Sequence, residues 1–161
     1  MNKNILGTNV VVQIAIVVHD IEKTSQDFAD FLGVEKPEWR LTGTREEAQT
    51  EYRGVPSNAR AKLAFFPLGG NLQLELIEPD MEPSTWREGL DKNGEGIHHI
   101  AFFIKGMKEK TMQLEANGMT LIQKGEYTGG RYAYIDAEST LKTVIELLEN
   151  DDYSELNEKQ S

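Results

Sequence analysis

The stretch "VVQIAIVV", residues 11–18, is apolar at every position except Gln13. A run this long, rich in β-branched residues and closed by His19 and Asp20, predicts a buried strand. The pattern returns 86 residues later. "QIAIVVHDIEKTSQDFADFLG" from Gln13 and "HIAFFIKGMKEKTMQLEANG" from His99 each open on a polar residue and continue with five apolar ones. Each then turns and enters an amphipathic helix ending at glycine. At the same offset Ile21 matches Met107 and Phe28 matches Leu114. Asp20 reads as an N-cap, and Gly33 and Gly118 as helix stops.

After each helix the periodicity changes to two. Strands are expected near 38–42, 61–67 and 71–78, and again near 119–124, 131–136 and 142–149. The turns "PLGGN" and "YTGG" separate them as hairpins require. Residues 43–60 read as a long, polar, mobile connection, and the bridge at 78–96 as a connector with a short helix at 84–90. Each half is therefore strand–helix–strand–strand–strand. Two such modules bury the apolar faces that neither can bury alone. The expected fold class is α+β: two tandem βαβββ modules forming a curved mixed sheet, with a central cleft and helices outside. The boundaries are one domain at 1–149, with module one about 9–79, the connector 80–96 and module two about 97–149; the acidic tail 150–161 is expected to fray.

The repeat gives meaning to the polar interruptions. Gln13 and His99 open equivalent first strands, while Glu75 in "LQLELIEP" and Glu146 in "TVIELLE" sit in equivalent last strands. Strand alternation puts Gln13 with Ala15, His99 with Ala101 and Glu75 with Gln73 on shared faces. Two buried carboxylates beside one imidazole call for a cation. One nitrogen and three oxygen donors suit a divalent Co, Mn, Ni, Fe or Zn rather than calcium. In a regular strand His98 points to the opposite face from His99, toward the helix side. His19 reads as exposed, and Trp39 and Trp86 as packed against the sheets.

Composition narrows the partners. Seventeen basic against twenty-seven acidic residues leave a formal charge of −10, which opposes binding to nucleic acid or an anionic membrane. There is no cysteine, so thiolate ligands, disulfides and cysteine nucleophiles are excluded. No signal-peptide pattern and no run of eighteen apolar residues occur, and a cytoplasmic location is expected on that ground.

With "GIHHIAFFI", "LQLELIEP" and "TVIELLE" placed on this repeat, the chain resembles the vicinal oxygen chelate, or glyoxalase/bleomycin-resistance, superfamily from about Val10 to Glu149. Within it the likeness is greatest to methylmalonyl-CoA epimerases. The resemblance implies metal ligands at Gln13, Glu75, His99 and Glu146, with Gln13 where relatives usually have histidine. It implies a metal-dependent isomerase, epimerase or lyase that abstracts an α-proton from a small carbonyl acid or acyl-CoA thioester and stabilises the enolate. Glu146 is the candidate base, and alignment puts Lys62 near the position of the epimerases' second carboxylate. Gln73 and Arg60 are candidate substrate contacts; Arg40, Arg45, Arg53, Arg60 and Lys62 concentrate where a carboxylate, phosphate or coenzyme A could be received. The partner implied is a small molecule, in a homodimer. The competing readings are a metal-free sequestering protein of the bleomycin-resistance type and, ranked last, a ring-cleaving dioxygenase.

Overall fold

A computed structural model describes residues 3–152. Chain order begins β1 (Gln13–Val17), α1 (Ile21–Leu32), β2 (Arg40–Leu41), α2 (Arg45–Ala48), β3 (Glu51–Tyr52), β4 (Val55–Pro56), β5 (Ala61–Pro67) and β6 (Gln73–Pro79). It continues with α3 (Thr85–Asn93), β7 (Gly96–Phe103), α4 (Met107–Glu115), β8 (Thr120–Tyr127), β9 (Gly130–Asp136), α5 (Glu138–Leu141) and β10 (Val144–Asn150). All the described strands join one sheet in the order β2-β5-β6-β1-β7-β10-β9-β8-β3-β4. The two modules meet where β1 and β7 run antiparallel, and each first strand pairs in parallel with its own module's last strand. The sheet is mixed and curls into a half-barrel, as expected from the repeat.

Local chemistry explains the helices. Asp20 caps α1 by accepting from the Lys23 amide at 2.9 Å, and Gly33 ends it at φ 66°. Ile21, Ser25 and Ala29, spaced four apart, form the buried stripe of α1 against Leu74, Leu76, Ala64 and Phe66 on the convex face of module one. On the convex face of module two, Leu114 of α4 packs with Ile135, Ile145 and Leu147. A third cluster lies inside the curl, where Ala15, Val17, Ala61, Ile77, Tyr134 and Val144 close around Trp86 and Leu90. So α1 and α4 lie outside as expected, but α3 fills one end of the cleft. Its amphipathic stripe finds its apolar partner there.

The segment 43–60 is not the loose connection its polarity suggests. It leaves β2 at one edge of the sheet, forms α2 under a Thr44–Glu47 capping box, and adds the hairpin β3–β4 to β8 at the other edge. Arg53 and Gly54, at φ 51° and 77°, make the tight turn. Arg53 then reaches Glu88 of α3 at 2.9 Å, and Tyr52 donates to the same carboxylate. α5 was not expected; Lys142 ends it at φ 65°, which delays β10 by two residues. The tail at 150–161 lies, from 153 onward, outside the described residues. Among the described residues no helix is long and apolar enough to cross a membrane.

Candidate metal centre

Pairing registers carry four side chains to one point. Glu75 pairs with Ala15 across β6 and β1, and Ala15 pairs with His99 across β1 and β7. Glu146 pairs with Ala101, which pairs with Gln13. Residues directly opposite in a ladder share a face, so Gln13, Glu75, His99 and Glu146 all point into the curl. Alanine at 15 and 101 leaves the volume between them. All four are buried, His99 completely.

The contacts are close. His99 Nε2 lies 3.0 Å from Glu146 Oε2 and 3.6 Å from Glu75 Oε2. One amide atom of Gln13 faces the same point, 3.0 Å from Glu146 Oε2, 3.1 Å from Glu75 Oε2 and 3.4 Å from His99 Nε2. The other Gln13 amide atom is 3.0 Å from Gln73 Oε1. Metal–ligand bonds of about 2.0–2.2 Å set ligand atoms roughly 3.0–3.5 Å apart, and the separations here fall close to that range.

A hydrogen-bond chain determines where the His99 lone pair lies. His98 Nε2 is 3.0 Å from the Thr85 carbonyl oxygen, which can only accept, so His98 carries its proton on Nε2. His98 Nδ1 is then an acceptor, and at 2.9 Å it receives the proton of His99 Nδ1. Burial pulls both imidazoles down to about 3, so both are neutral. His99 therefore aims the Nε2 lone pair at two carboxylates. Lone pairs that face one another in a buried site need a cation or protons between them. The carboxylates give the same answer. Burial raises Glu146 to about 8, against the opposing hydrogen bond from Tyr134. Burial and the charge of Glu146 raise Glu75 well above the carboxylate range, with Arg40 pulling the other way. Three facing donor groups, neutral imidazole included, and an amide able to present its carbonyl fit a divalent transition metal.

The remaining expected residues divide. Gln73 stands beside the cluster through Gln13. Lys62 does not reach it: with Ala64 and Phe66 it lies on the convex face, bonded to Glu78 at 2.7 Å and set over Trp39. Strand parity is the reason, since Phe65 and not Lys62 pairs with Glu75. Arg60 is also elsewhere, its guanidinium bound to the Thr42 carbonyl. His98 overturns the regular-strand expectation. Ile16 pairs with Ile97 and Ala15 with His99, leaving His98 as the extra residue of a β-bulge that turns both rings inward. His19 is exposed as expected. Trp39 packs beside α1 on the convex face, whereas Trp86 packs inside the cleft and donates to Tyr134 at 3.0 Å. Thr85, His98, Trp86 and Tyr134, which support the ligands, were not singled out as a group; the "HH" doublet and the alternation of "RYAYID" were their available signals.

With this geometry in place, four similarities are informative. The family model described as "Glyoxalase/Bleomycin resistance protein/Dioxygenase superfamily" matches residues 12–135. An uncharacterized protein of Bacillus subtilis (strain 168), YqjC, is 33% identical over 93 residues, covering 56% of this chain and 66% of that protein. A hypothetical protein of Bacillus halodurans C-125, BH1468, superposes with a TM-score of 0.61 at 22% identity, over 89% of this chain and 95% of that one. The methylmalonyl-CoA epimerase of Mycobacterium tuberculosis superposes at 0.57 and 22% identity, over 91% of each chain.

Proposed function

Since the chain belongs to the glyoxalase/bleomycin resistance protein/dioxygenase superfamily, we propose that it is a metal-dependent isomerase, epimerase or lyase acting at carbon next to a carbonyl. One observation carries this reading: a neutral His99, locked by His98 and Thr85, directs its lone pair at two buried carboxylates. Gln13, Glu75, His99 Nε2 and Glu146 would hold the metal, which when bound supplies a Lewis acid for a carbonyl oxygen and charge stabilisation for an enolate.

The chain's own residues supply the proton chemistry. Glu146 is the base, its affinity for a proton raised by burial and moderated by the Tyr134 hydroxyl. Glu75 arrives from the other module and takes the role of returning the proton, in place of Lys62 on the far face. Trp86 packs against Tyr132 and Tyr134 behind the site. The substrate is a small carbonyl acid or its thioester, and the expected assembly is a homodimer.

The test begins with metal content in protein purified without chelator or affinity tag. Deuterium exchange at the α-carbon of 2-oxo acids and of methylmalonyl-CoA, with added Co or Mn, follows. Metal uptake with α-exchange supports the enzyme. A specific observation favours the metal-free binding protein as second reading: with its NH2 turned inward, Gln13 donates to both Glu75 and Glu146 and needs no ion. Absent metal uptake, with ligand binding retained, establishes that alternative.

A further inference from the structure

The end of the cleft opposite α3 has a distinct make-up. Phe65 pairs with Glu75 on the cleft face, and Phe103 pairs with Leu148 one step beyond the Ala101–Glu146 pair. Phe65 and Leu148 are half-buried and Phe103 is 48% exposed, so this end of the cleft face presents apolar surface. At its edge Arg40 pairs with Leu63, sharing the cleft face, and its guanidinium carbon lies 5.0 Å above the Phe65 ring.

Arg40 is exposed yet makes no ion pair among the described residues, in a chain with an excess of acids. Three neighbouring basic residues are engaged: Arg60 by the Thr42 carbonyl, Lys62 by Glu78 and Arg53 by Glu88. The cation–π contact with Phe65 leaves the guanidinium N–H groups without a hydrogen-bond partner among the described residues, so they can receive an oxyanion. Arg40 stands in β2 and Glu75 in β6, so their backbones lie two strand steps, roughly 10 Å, apart, with the Phe65 ring between them.

Resting on the function proposed above, we infer that Arg40 and Phe65 form a distal anion subsite, so that the substrate carries its reacting carbonyl at one end and a carboxylate or phosphate at the other, joined by a flat apolar body about one aryl ring long. The subsite thus selects the far end of the molecule.

The test titrates Co(II)-loaded protein with benzohydroxamate and with its 4-carboxy and 4-phosphonate derivatives. A charged hydrogen bond is worth about 1.5–3 kcal/mol, so the anionic probes should bind about tenfold or more tighter than the parent. The gain should vanish in Arg40→Gln, survive in part in Arg40→Lys, and persist in Lys62→Gln on the opposite face. The larger gain of the two identifies carboxylate or phosphate. Equal affinity of the three probes, a gain that survives Arg40→Gln, or no binding of any probe to metal-loaded protein overturns the subsite. Binding of the parent without an anion preference leaves the proposed function standing. Failure of Co uptake sinks that function instead, and the subsite is then read on metal-free protein as a preference for terephthalate over benzoate that Arg40→Gln removes.

Discussion

The two modules supply equivalent pairs of candidate ligands but hold them differently. In module two, His99 is anchored through His98 to the backbone of α3, and Glu146 receives a hydrogen bond from Tyr134, itself held by Trp86. In module one, among the described residues, Gln13 meets only the amide of Gln73 behind it, and Glu75 has no such supporting chain. An amide paired with an amide can turn over; an imidazole bonded to an imidazole bonded to a carbonyl cannot. Duplication thus produced a rigid half and an adjustable half. The connector helix α3 made the difference, because it packs into one module's ligands and not the other's.

The largest effect expected from this asymmetry is His99→Ala. It removes the one nitrogen donor and the anchored lone pair, and should weaken Co(II) binding by well over about 100-fold, beyond the range of changes made behind a ligand. Direct titration by visible absorption measures it. Binding as tight as wild type in His99→Ala would mean that the cluster is not the metal site.

His98 comes next. His98→Leu keeps the bulge but leaves His99 without its proton acceptor, and a loss of about 10–100-fold in metal affinity is expected. His98→Gln should recover much of it, since an amide can accept from His99 and donate to Thr85. Long-range nitrogen–proton NMR of the metal-free protein should show His99 protonated at Nδ1 in wild type and a mixture of tautomers in His98→Leu. Equal affinity in the leucine and glutamine variants would reduce His98 to packing.

The pH response sharpens the contrast between carboxylates and histidines. The Glu146 carboxyl, at about 8 when folded against an ordinary 4.5, holds a proton in the native state that the unfolded chain has released. Native protein therefore binds more protons than unfolded protein between these values, and metal-free stability falls as pH rises through that window. His98 and His99, at about 3 when folded against 6.5, act in the opposite sense between those two values. From 6.5 to 8 the carboxylate acts alone among these three groups. Thermal midpoints of metal-free protein should fall across that interval, with up to about 1.4 kcal/mol per pH unit per proton at stake. Metal uptake should release a proton there, and affinity should rise with pH to about 8. A midpoint that climbs from pH 6.5 to 8 would contradict a protonated Glu146.

The fold and the clustering of the four candidate ligands were legible for the same reason: the 86-residue offset aligns β1 with β7 and α1 with α4, and module order then matches the last strands that carry Glu75 and Glu146. What repetition could not show is where the halves differ. The hairpin β3–β4 has strands of two residues and an Arg53-Gly54 turn, in place of the Asn-Gly signal such turns usually carry. The bulge at His98 breaks period two, so counting alternate residues sent that ring to the wrong face. Lys62 was within reach of parity, because the "PLGGN" turn sets Phe65 against Glu75. α3 looked like a connector because its polar residues outnumber the few apolar ones, Trp86 and Leu90, that enter the core.

Gln13 is where the smallest change answers the most specific question. With its carbonyl inward it is a weak fourth ligand; with its NH2 inward it neutralises two carboxylates by hydrogen bonding. Both states use the same 3.0–3.4 Å contacts, and Gln73 can pair with either one by turning its own amide. Gln13→Ala should therefore weaken Co(II) binding by only about tenfold, far less than His99→Ala, because an amide oxygen is a poorer donor than imidazole. It should also destabilise metal-free protein by roughly 1–3 kcal/mol, since the buried carboxylates lose their donor. Gln13→His separates the two roles. It offers a stronger donor to metal, and with no helix behind it to set its tautomer it should tighten Co(II) binding while lowering metal-free stability. Titration and thermal melts on the same preparations measure both, and a histidine that failed to tighten binding would show that position 13 lies outside the coordination sphere.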